Sequence, residues 1–461
     1  MSTKYRNVMF LIADDWSPLA ECYGNTVLQM PRINELAKRS VAFDYAFCTS
    51  PSCAVSRASI LTGQHSHVHG QYGHCHGIQG FRTHEWMSST PQSLREAGFA
   101  TACIGKKHVE PYSIYPFEYE PKVDTRMGAE MASAARTFLN DNQDKPFYLH
   151  VGFADPHRAP GGYANERSYP NVPKVTYSPD EVIVPPFLPD LPGVREDLAD
   201  YYQAVSRFDH SVGQLLDVLE ESGRADETLI ILTSDHAMPF PGAKASFFDS
   251  GHRVPFLVYH SDLQAGGTMN QALINHLDIR PTVQEWCGVE ALAALSPEAN
   301  HLVNETLPGR SLLPILDTPE PEDWDEVTFS HCFHEVIDYN PYRVLRGRKY
   351  KYVQNVAADH LTPLPTDLFR SKTWTAVRET GATHMGIRST EHTRKHAYEE
   401  LYDLESDPYE STNRILDPGL AHIATDMRSR LYAMRRETKD MWLELDFQFG
   451  RLEQDPDKEY Q

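Results

Sequence analysis

The feature that most constrains the fold of this chain is a repeated pattern in which a short apolar run ends in acidic residues. Asn7–Ala13 is a mostly apolar run that is followed at once by Asp14 and Asp15. Leu229–Leu232 is a second apolar run, and Asp235 follows it closely. Short apolar runs of this kind predict strands that are buried on both faces, which is typical of a parallel sheet.

Segments with helical periodicity alternate with these runs. In Leu198–Ser222 the apolar residues recur at helical spacing, and Gly223 is a helix-ending signal. The other predicted elements are helices at Pro31–Ser40 and Ser93–Ala97 and strands at Val41–Phe47, Ala100–Ile104 and Pro146–Phe153. This alternation predicts an α/β fold, with a mostly parallel sheet and helices on both faces. Ligands bind such sheets beyond the carboxyl ends of the strands, where the acidic residues cluster.

The pattern changes beyond about residue 330. Tyr342–Leu345 and Lys349–Val353 predict two short antiparallel strands joined by a turn at Arg346-Gly347-Arg348. A long helix is predicted within residues 419–443. We therefore expect a catalytic domain at 1–330 and a smaller C-terminal α+β domain at 331–461, which contains a short antiparallel sheet and contributes to the substrate pocket.

Composition excludes several partners. The chain has 461 residues and a formal net charge of −21, which argues against nucleic acid as a partner. The longest apolar stretch, Val8–Ala13, is too short to span a membrane, and Met1–Asn7 shows no export signal. Seven cysteines without CxxC spacing favour reduced thiols over a disulfide framework. We therefore expect a cytoplasmic protein that binds no membrane.

One cysteine stands in a distinctive segment, Cys53–Gly63, which reads CAVSRASILTG. This segment resembles the signature of the sulfatase family, C-x-P-S-R followed by x-x-x-L-T-G. The resemblance implies an alkaline-phosphatase-like fold. It also implies that a maturation enzyme oxidises Cys53 to formylglycine, whose hydrated aldehyde attacks the sulfur of the substrate as a metal-activated nucleophile. A helix that begins at the cysteine would also favour anions at its N-terminus.

Further motifs match the family in sequence order. They are the Asp14-Asp15 pair, GKKH at 105–108, DPH at 155–157, Asp235-His236, GAK at 242–244 and LYDL at 401–404. The resemblance implies that one divalent metal ion is bound by Asp14, Asp15, Cys53, Asp235 and His236. It implies that Arg57, Lys106, His108 and Lys244 bind the sulfate group or the modified cysteine, and that His157 lies on the leaving-group side. Such cationic residues would form a local positive pocket inside an acidic protein.

Two positions depart from the family pattern. Val55 stands where the signature has proline, which puts the recognition of Cys53 by the maturation enzyme in doubt. His236 replaces the usual asparagine, as in the phosphonate monoester hydrolases and alkaline phosphatases of the same superfamily. The family pattern favours Ca²⁺, whereas an imidazole ligand moves the preference towards Mn²⁺, Mg²⁺ or Zn²⁺.

Several stretches resemble the heparan N-sulfatases, or sulfamidases, more closely than the arylsulfatases. Ile104–Val109 and Phe153–Arg158 are two of them. His334 and Glu335 stand where that group has a similar His-Glu-Val near its substrate pocket. The resemblance implies a small sulfated substrate, a sugar or an aryl sulfate, and these two residues are candidates for binding it. Glu335 could instead pair with a basic neighbour such as Arg343.

Three functions therefore stay open. The first is a sulfatase that hydrolyses sulfate esters or sulfamates, with sugars of the N-sulfoglucosamine type as candidate substrates and general arylsulfatase activity as the alternative. The second is a phosphonate or phosphate diester hydrolase on the same scaffold, which His236 favours. The third is an inactive homologue that binds sulfated glycans, which Val55 permits. A homo-oligomer is compatible with each of them.

Overall fold

The computed structural model describes residues 7–159, 161–290, 307–358 and 360–443. The helices are α1 Pro31–Ala37, α2 Cys53–Thr62, α3 Ser66–His69, α4 Thr90–Glu96, α5 Gly128–Asp141, α6 Pro192–Glu221, α7 Asp249–His252, α8 Ile279–Cys287, α9 Thr366–Phe369, α10 Lys372–Thr380 and α11 Ala421–Glu437. The main sheet contains β1 Asn7–Ala13, β2 Val41–Phe47, β3 Ala100–Gly105, β4 Phe147–Gly152, β5 Thr228–Ser234, β6 Phe256–Tyr259 and β7 Thr268–Asn275.

The seven strands of the main sheet have the order β3-β4-β1-β5-β6-β2-β7. The pairs β3–β4, β4–β1, β1–β5 and β2–β7 are parallel, whereas β6 is antiparallel to both of its neighbours. The strand β1 lies at the centre, where it pairs with β5 in a register that places Ala13 opposite Ser234. The residues that follow these two strands are therefore brought together at one edge of the sheet.

Both faces of the main sheet are covered by helices, and β1 shows why. Its residues Met9 and Leu11 pack into a core that includes α1, α5 and α6. Its residues Phe10 and Ile12 point to the other face, where they pack into a core that includes α2 and α8. All of β1 is buried, as expected for a central strand that is covered on both sides.

A second sheet follows the main one in sequence. Its four strands have the order β13-β10-β9-β8 and are antiparallel, with β8 Glu326–Phe333, β9 Tyr339–Gly347, β10 Tyr350–Asn355 and β13 Glu399–Asp403. A separate short ribbon contains β11 His384–Met385 and β12 Arg388–Ser389. The helix α11 packs its buried Met427 and Leu431 against Leu345 and Tyr352 of the second sheet.

The structure confirms the predicted fold class: a mostly parallel sheet with helices on both faces, and a smaller antiparallel sheet in the C-terminal part. The predicted hairpin at 342–353 is the β9–β10 pair, and the predicted C-terminal helix is α11. The boundary at residue 330 falls within β8, and the division into two domains stays a prediction.

Three further expectations concern the chain ends, the membrane and the thiols. The described residues do not include 1–6, on which most of the argument about an export signal rests. They also do not include 444–461 of the predicted C-terminal domain. None of the described helices is both long and apolar enough to cross a bilayer. The structure pairs none of the seven cysteines in a disulfide, and all of them lie within the described residues.

Candidate active site

The acidic residues that follow β1 and β5 meet at the edge of the main sheet. The backbone N–H of Asp15 donates a hydrogen bond to Oδ1 of Asp235 at 3.1 Å. Asp14, Asp15, Asp235 and His236 are fully buried. Asp15 has a backbone φ of 70°, so the chain turns sharply there, directly after the strand. The parallel register of the two strands thus brings three carboxylates together.

Cys53 lies at the first turn of α2, directly beside this cluster. Its Sγ is 3.3 Å from Nε2 of His236, and the cysteine is only 1% exposed. All ten residues of α2 are buried, and Ser52 is the N-cap. The N-terminus of a helix favours negative charge, so an anion is favoured where the cysteine lies. Burial raises the pKa of the Cys53 thiol well above its usual value.

These residues form a donor set that fits a divalent metal ion. One ligand atom each from Asp14, Cys53, Asp235 and His236 lies within 4.8 Å of the others. Oδ1 of Asp14 is buried and has no hydrogen-bond partner among the described residues. A buried carboxylate oxygen without a partner is costly unless a cation or water satisfies it. We call Asp14, Asp15, Cys53, Asp235 and His236 the pocket floor.

Three cationic side chains surround the pocket floor. Nζ of Lys106, which follows β3, lies 2.5 Å from Oδ2 of Asp14. Nε of Arg57 lies 2.9 Å from Oδ2 of Asp235. Lys244 is 2% exposed, so its charge must be compensated inside the protein. Its Nζ lies 3.2 Å from Oδ2 of Asp15 and 2.9 Å from Oδ2 of Asp367.

The balance of these charges determines the protonation of the floor. Burial opposes ionisation of Asp14, but the ammonium of Lys106, with His157 and Arg57, holds its pKa well below the usual range. Burial likewise opposes ionisation of Asp15, and Lys244 with the neighbouring histidines lowers its pKa. Burial and the charge of Asp14 raise the pKa of Asp235. The neighbouring cations thus favour the ionised forms of Asp14 and Asp15, whereas the surroundings of Asp235 oppose its ionisation.

Two histidines extend from the loops after β3 and β4. Nδ1 of His157 lies 2.7 Å from Oδ2 of Asp15, which fixes the orientation of the ring. His108 has a backbone φ of 59°, and its Nε2 lies 2.8 Å from Nδ1 of His76. Burial, and then the charge of Lys106, lowers the pKa of His108 well below its usual value, so the ring is neutral at pH 7.

The floor opens into a pocket of about 930 Å³. Cys53, Lys106, His108, His157 and Lys244 line its inner part. The opposite side is contributed by the C-terminal part of the chain, and we call His334, Glu335, Thr366, Asp367 and Arg370 the C-terminal wall. A cavity of this size fits a small ligand such as a monosaccharide.

The structure brings together every residue that the sequence predicted for the site. Five of these residues lie beneath the pocket rather than in its lining: Arg57, whose guanidinium is buried against Asp235, and the fully buried Asp14, Asp15, Asp235 and His236. His334 donates to or accepts from Ser52 Oγ at 3.0 Å, and Glu335 accepts a hydrogen bond from Thr366 Oγ1 at 2.6 Å. The alternative pairing of Glu335 with Arg343 is wrong, because Arg343 is paired with Asp440 at 2.7 Å.

The sequence did not identify several residues that line the pocket, among them His74, His76 and Asp367. His74 and His76 line the pocket, whereas His65 and His67 stack on each other elsewhere and His69 bonds Ser59. The five histidines form one loop in the sequence, and nothing in their spacing separates these two groups. Asp367, which binds Lys244, lies in an irregular polar segment without a distinguishing motif.

The fold and the site define a hydrolase class in which buried carboxylates, a nucleophile at a helix N-terminus and ammonium groups act on a tetrahedral anion. A sequence model described as Sulfatase matches residues 6–289, which is more than half of the chain. The protein therefore belongs to the sulfatase family of the alkaline phosphatase superfamily and is a sulfuric ester hydrolase. The family as a whole implies a metal ion and a formylglycine.

One relative supports the family assignment, and two solved structures show the same fold. N-sulphoglucosamine sulphohydrolase of Homo sapiens is 33% identical over 465 residues, which cover 95% of this chain and 91% of the relative. A structure of a protein in complex with its substrate D-glucosamine-2-N,6-O-disulfate is similar with a TM-score of 0.65, at 18% identity, covering 95% of this chain and 99% of that one. Phosphonate monoester hydrolase of Agrobacterium radiobacter has a TM-score of 0.68, at 18% identity, covering 94% of this chain and 96% of that one.

Proposed function

We propose that this protein removes a sulfate group from a sulfated glucosamine, and that the bond it cleaves is the N–S bond of the N-sulfate group. One observation carries the proposal: the buried Cys53 lies between a carboxylate donor set and two ammonium groups, at the inner end of a pocket of about 930 Å³. The human relative, which is 33% identical, acts on N-sulphoglucosamine according to its name. The pocket has the size and polarity that such a sugar requires.

The floor fits both groups that the family implies. Formylglycine at position 53 would supply an oxygen nucleophile in place of the thiol. A divalent ion held by Asp14, Asp15, Asp235 and His236 would supply charge stabilisation and a more acidic bound oxygen. The carboxylates favour Ca²⁺ or Mg²⁺ and the imidazole favours Mn²⁺ or Zn²⁺, so the identity of the ion is a matter for measurement.

The cations of the inner pocket hold the sulfate group. Lys106 and Lys244 each bridge an aspartate of the floor and the pocket surface. Their ammonium groups are thus oriented before the anion binds, and oriented charges in a site that excludes water stabilise a developing anion strongly. His108 adds a neutral imidazole, and Arg57 supports the floor from beneath through Asp235.

His157 is suited to protonate the leaving group. Its Nδ1 faces Asp15, so the other ring nitrogen is left for the substrate. Cleavage of an N–S bond requires the departing nitrogen to be protonated, because an amide anion is too basic to leave. The same proton would help an alkoxide to leave, so this residue serves sulfamates and sulfate esters of sugars alike.

The C-terminal wall would hold the sugar. His334, Glu335 and Asp367 offer an imidazole and two carboxylates to hydroxyl groups, which are the donors that a glucosamine presents. An aryl sulfate offers no such donors. The wall therefore distinguishes a sugar sulfatase from a general arylsulfatase.

A phosphonate or phosphate diester hydrolase is the second candidate, because His236 contacts Cys53 and lies 3.1 Å from Oδ1 of Asp15. An inactive glycan-binding homologue is the third, because Val55 departs from the family signature. The maturation enzyme, the homo-oligomer and the cytoplasmic location stay predictions.

One experiment separates these functions. The chain is produced with and without a formylglycine-generating enzyme, and the mass of the peptide that contains residue 53 is measured. The converted protein is then assayed on N-sulfoglucosamine, p-nitrophenyl sulfate and a phenyl phosphonate monoester. We expect conversion of Cys53 and the highest kcat/KM on the sugar. Preference for the phosphonate would support the second candidate, and a protein in which Cys53 stays unconverted but which binds the sugar would support the third.

A further inference from the structure

Three histidines from two different loops meet at the side of the pocket. His74 and His76 come from the loop after α3, and His108 comes from the loop after β3. One ring nitrogen of each lies within 4.8 Å of the others. The ring centroid of His108 is 4.9 Å from that of His74 and 5.0 Å from that of His76. The carboxylate floor shares no residue with this group, which we call the histidine cluster.

The cluster contains polar atoms that the protein leaves without a partner. Nε2 of His74 and Nδ1 of His108 are buried and make no hydrogen bond among the described residues. His74 is 7% exposed, so this nitrogen has little access to water. Buried polar nitrogens usually have a partner, and an unsatisfied one indicates a water molecule or an ion.

The geometry needs little change to hold a metal ion. Zn²⁺ binds imidazole nitrogens at about 2.0–2.1 Å in a tetrahedral arrangement, which places two such nitrogens about 3.3 Å apart. His76 Nδ1 and His108 Nε2 are 2.8 Å apart, so they must separate by about half an ångström. His76 is exposed, and its side chain is free to make that adjustment.

We propose that His74, His76 and His108 form a second metal site, distinct from the carboxylate floor, that takes a borderline transition-metal ion such as Zn²⁺. Neutral imidazoles without a carboxylate select such ions over Ca²⁺ and Mg²⁺, which prefer oxygen. Three protein ligands leave a fourth position open towards the pocket. The ammonium groups of Lys106 and Lys244 oppose a second cation, so the site binds its ion more weakly than an isolated three-histidine site would.

An ion at the cluster withdraws His108 from substrate binding. Binding of free zinc at the cluster should therefore inhibit the enzyme. This inhibition rests on the proposed function, because it requires that His108 contacts the sulfate. The metal binding itself does not depend on the proposed function.

The test counts bound metal. Zn²⁺ is titrated by equilibrium dialysis into the full chain, and Co²⁺ is titrated in parallel to follow the visible absorption of a tetrahedral site. The variants are His76→Ala and the matched control His84→Ala, an exposed histidine nearby that stacks on Trp86 outside the cluster. Asp235→Asn removes a donor from the floor and leaves the cluster intact.

We expect His76→Ala to bind one equivalent of Zn²⁺ fewer than the wild type and to lose the tetrahedral Co²⁺ absorption. His84→Ala should match the wild type, and Asp235→Asn should keep the absorption. Removing a direct ligand should weaken binding by more than the ~10–100-fold that loss of an outer-sphere partner costs. Equal zinc content and equal spectra in the wild type and His76→Ala would overturn the proposal, whether or not the enzyme is active on any sulfated substrate.

Discussion

The two sides of the pocket are built in different ways. The pocket floor comes from residues that directly follow two paired central strands, and Asp14, Asp15, Asp235 and His236 are fully buried. The C-terminal wall comes from the residues that directly follow β8 and from α9 with the residue after it, and its Glu335 and Asp367 are only partly buried. A buried floor at the strand ends suits the bond-breaking chemistry, whereas a more exposed wall, built largely outside the main sheet, can vary with the substrate. Substitutions in the floor should therefore lower the rate on all substrates, whereas substitutions in the wall should lower the rate only on substrates that contact the wall.

The largest effect on activity is expected when the nucleophile is removed from the floor. Cys53→Ala should reduce kcat on sugar and aryl sulfates equally, by on the order of 10⁵–10⁶-fold, because no other described residue can replace the modified side chain. The measurement is turnover of both substrates by protein produced with a formylglycine-generating enzyme. Cys103→Ala, which changes a buried thiol outside the pocket, serves as the control. Substantial turnover by Cys53→Ala would contradict the nucleophile assignment.

The carboxylates of the floor come next. Asp235→Asn should lose bound metal and reduce kcat by on the order of 10³-fold on every substrate, because the ion both activates and positions. Asp278→Asn is the matched control, since Asp278 is also buried and lies close to the end of a main-sheet strand, but accepts bonds from the backbone of Asn275 and Arg310. Metal content is measured by elemental analysis. Equal metal in Asp235→Asn and the wild type would refute the assignment.

A third test concerns the scaffold of the wall rather than its chemistry. Asp440 is fully buried in its side chain and pairs with Arg343 of β9 and Arg435 of α11, at 2.7 Å and 2.8 Å. Asp440→Asn removes the charged partner of the buried Arg343 guanidinium, so the free energy of unfolding should fall by about 3–5 kcal/mol. Urea unfolding measures this loss, and kcat should not change. A large fall in kcat without loss of stability would show that the pair acts on the site.

The ion pair between Asp440 and Arg343 also predicts that the stability of the protein depends on pH. Burial opposes ionisation of Asp440, but Arg343, with His67 and Arg435, holds its pKa well below the usual value of an aspartate. A carboxyl whose folded-state pKa is lowered stabilises the protein at neutral pH. That contribution is lost as the pH falls from the usual aspartate range towards the lowered value. Stability of the wild type should therefore fall more steeply in acid than that of Asp440→Asn.

The smallest effect is expected for a substitution in the C-terminal wall, and it tests the difference between floor and wall most directly. Glu335→Gln should lower kcat/KM on N-sulfoglucosamine by tens to hundreds-fold, or about 2–4 kcal/mol, because a charged hydrogen bond to the sugar is lost. Activity on p-nitrophenyl sulfate should change much less. Glu335 accepts a bond from Thr366, so Thr366→Val is the control for a purely structural role. Equal losses on both substrates in Glu335→Gln would assign the residue to the scaffold of the wall.

The contrast between floor and wall also explains what the sequence could predict. Asp14 and Asp235 were recognisable because an apolar strand fixes the position of the residue that follows it, and parallel strands end at one edge. Lys106 and His157 follow strands in the same way. Asp367 and His76 could not be found, because their positions depend on how long loops fold over the pocket. The start of α6 at Pro192 was missed because its first turns are mostly polar, and the strands β6 and β7 were missed because short segments of this kind resemble helix and strand alike.

The burial of α2 has a consequence for the order of events in the life of the chain. Every residue from Cys53 to Thr62 is buried, and Arg57 is bonded to Asp235, Lys106 and Ala13. An enzyme that modifies Cys53 by reading its neighbours needs this segment as an accessible peptide, which the folded protein does not offer. If Cys53 is converted in this way, conversion has to be completed before the helix docks onto the sheet. The rate at which this part of the protein folds would then set the time during which conversion can take place.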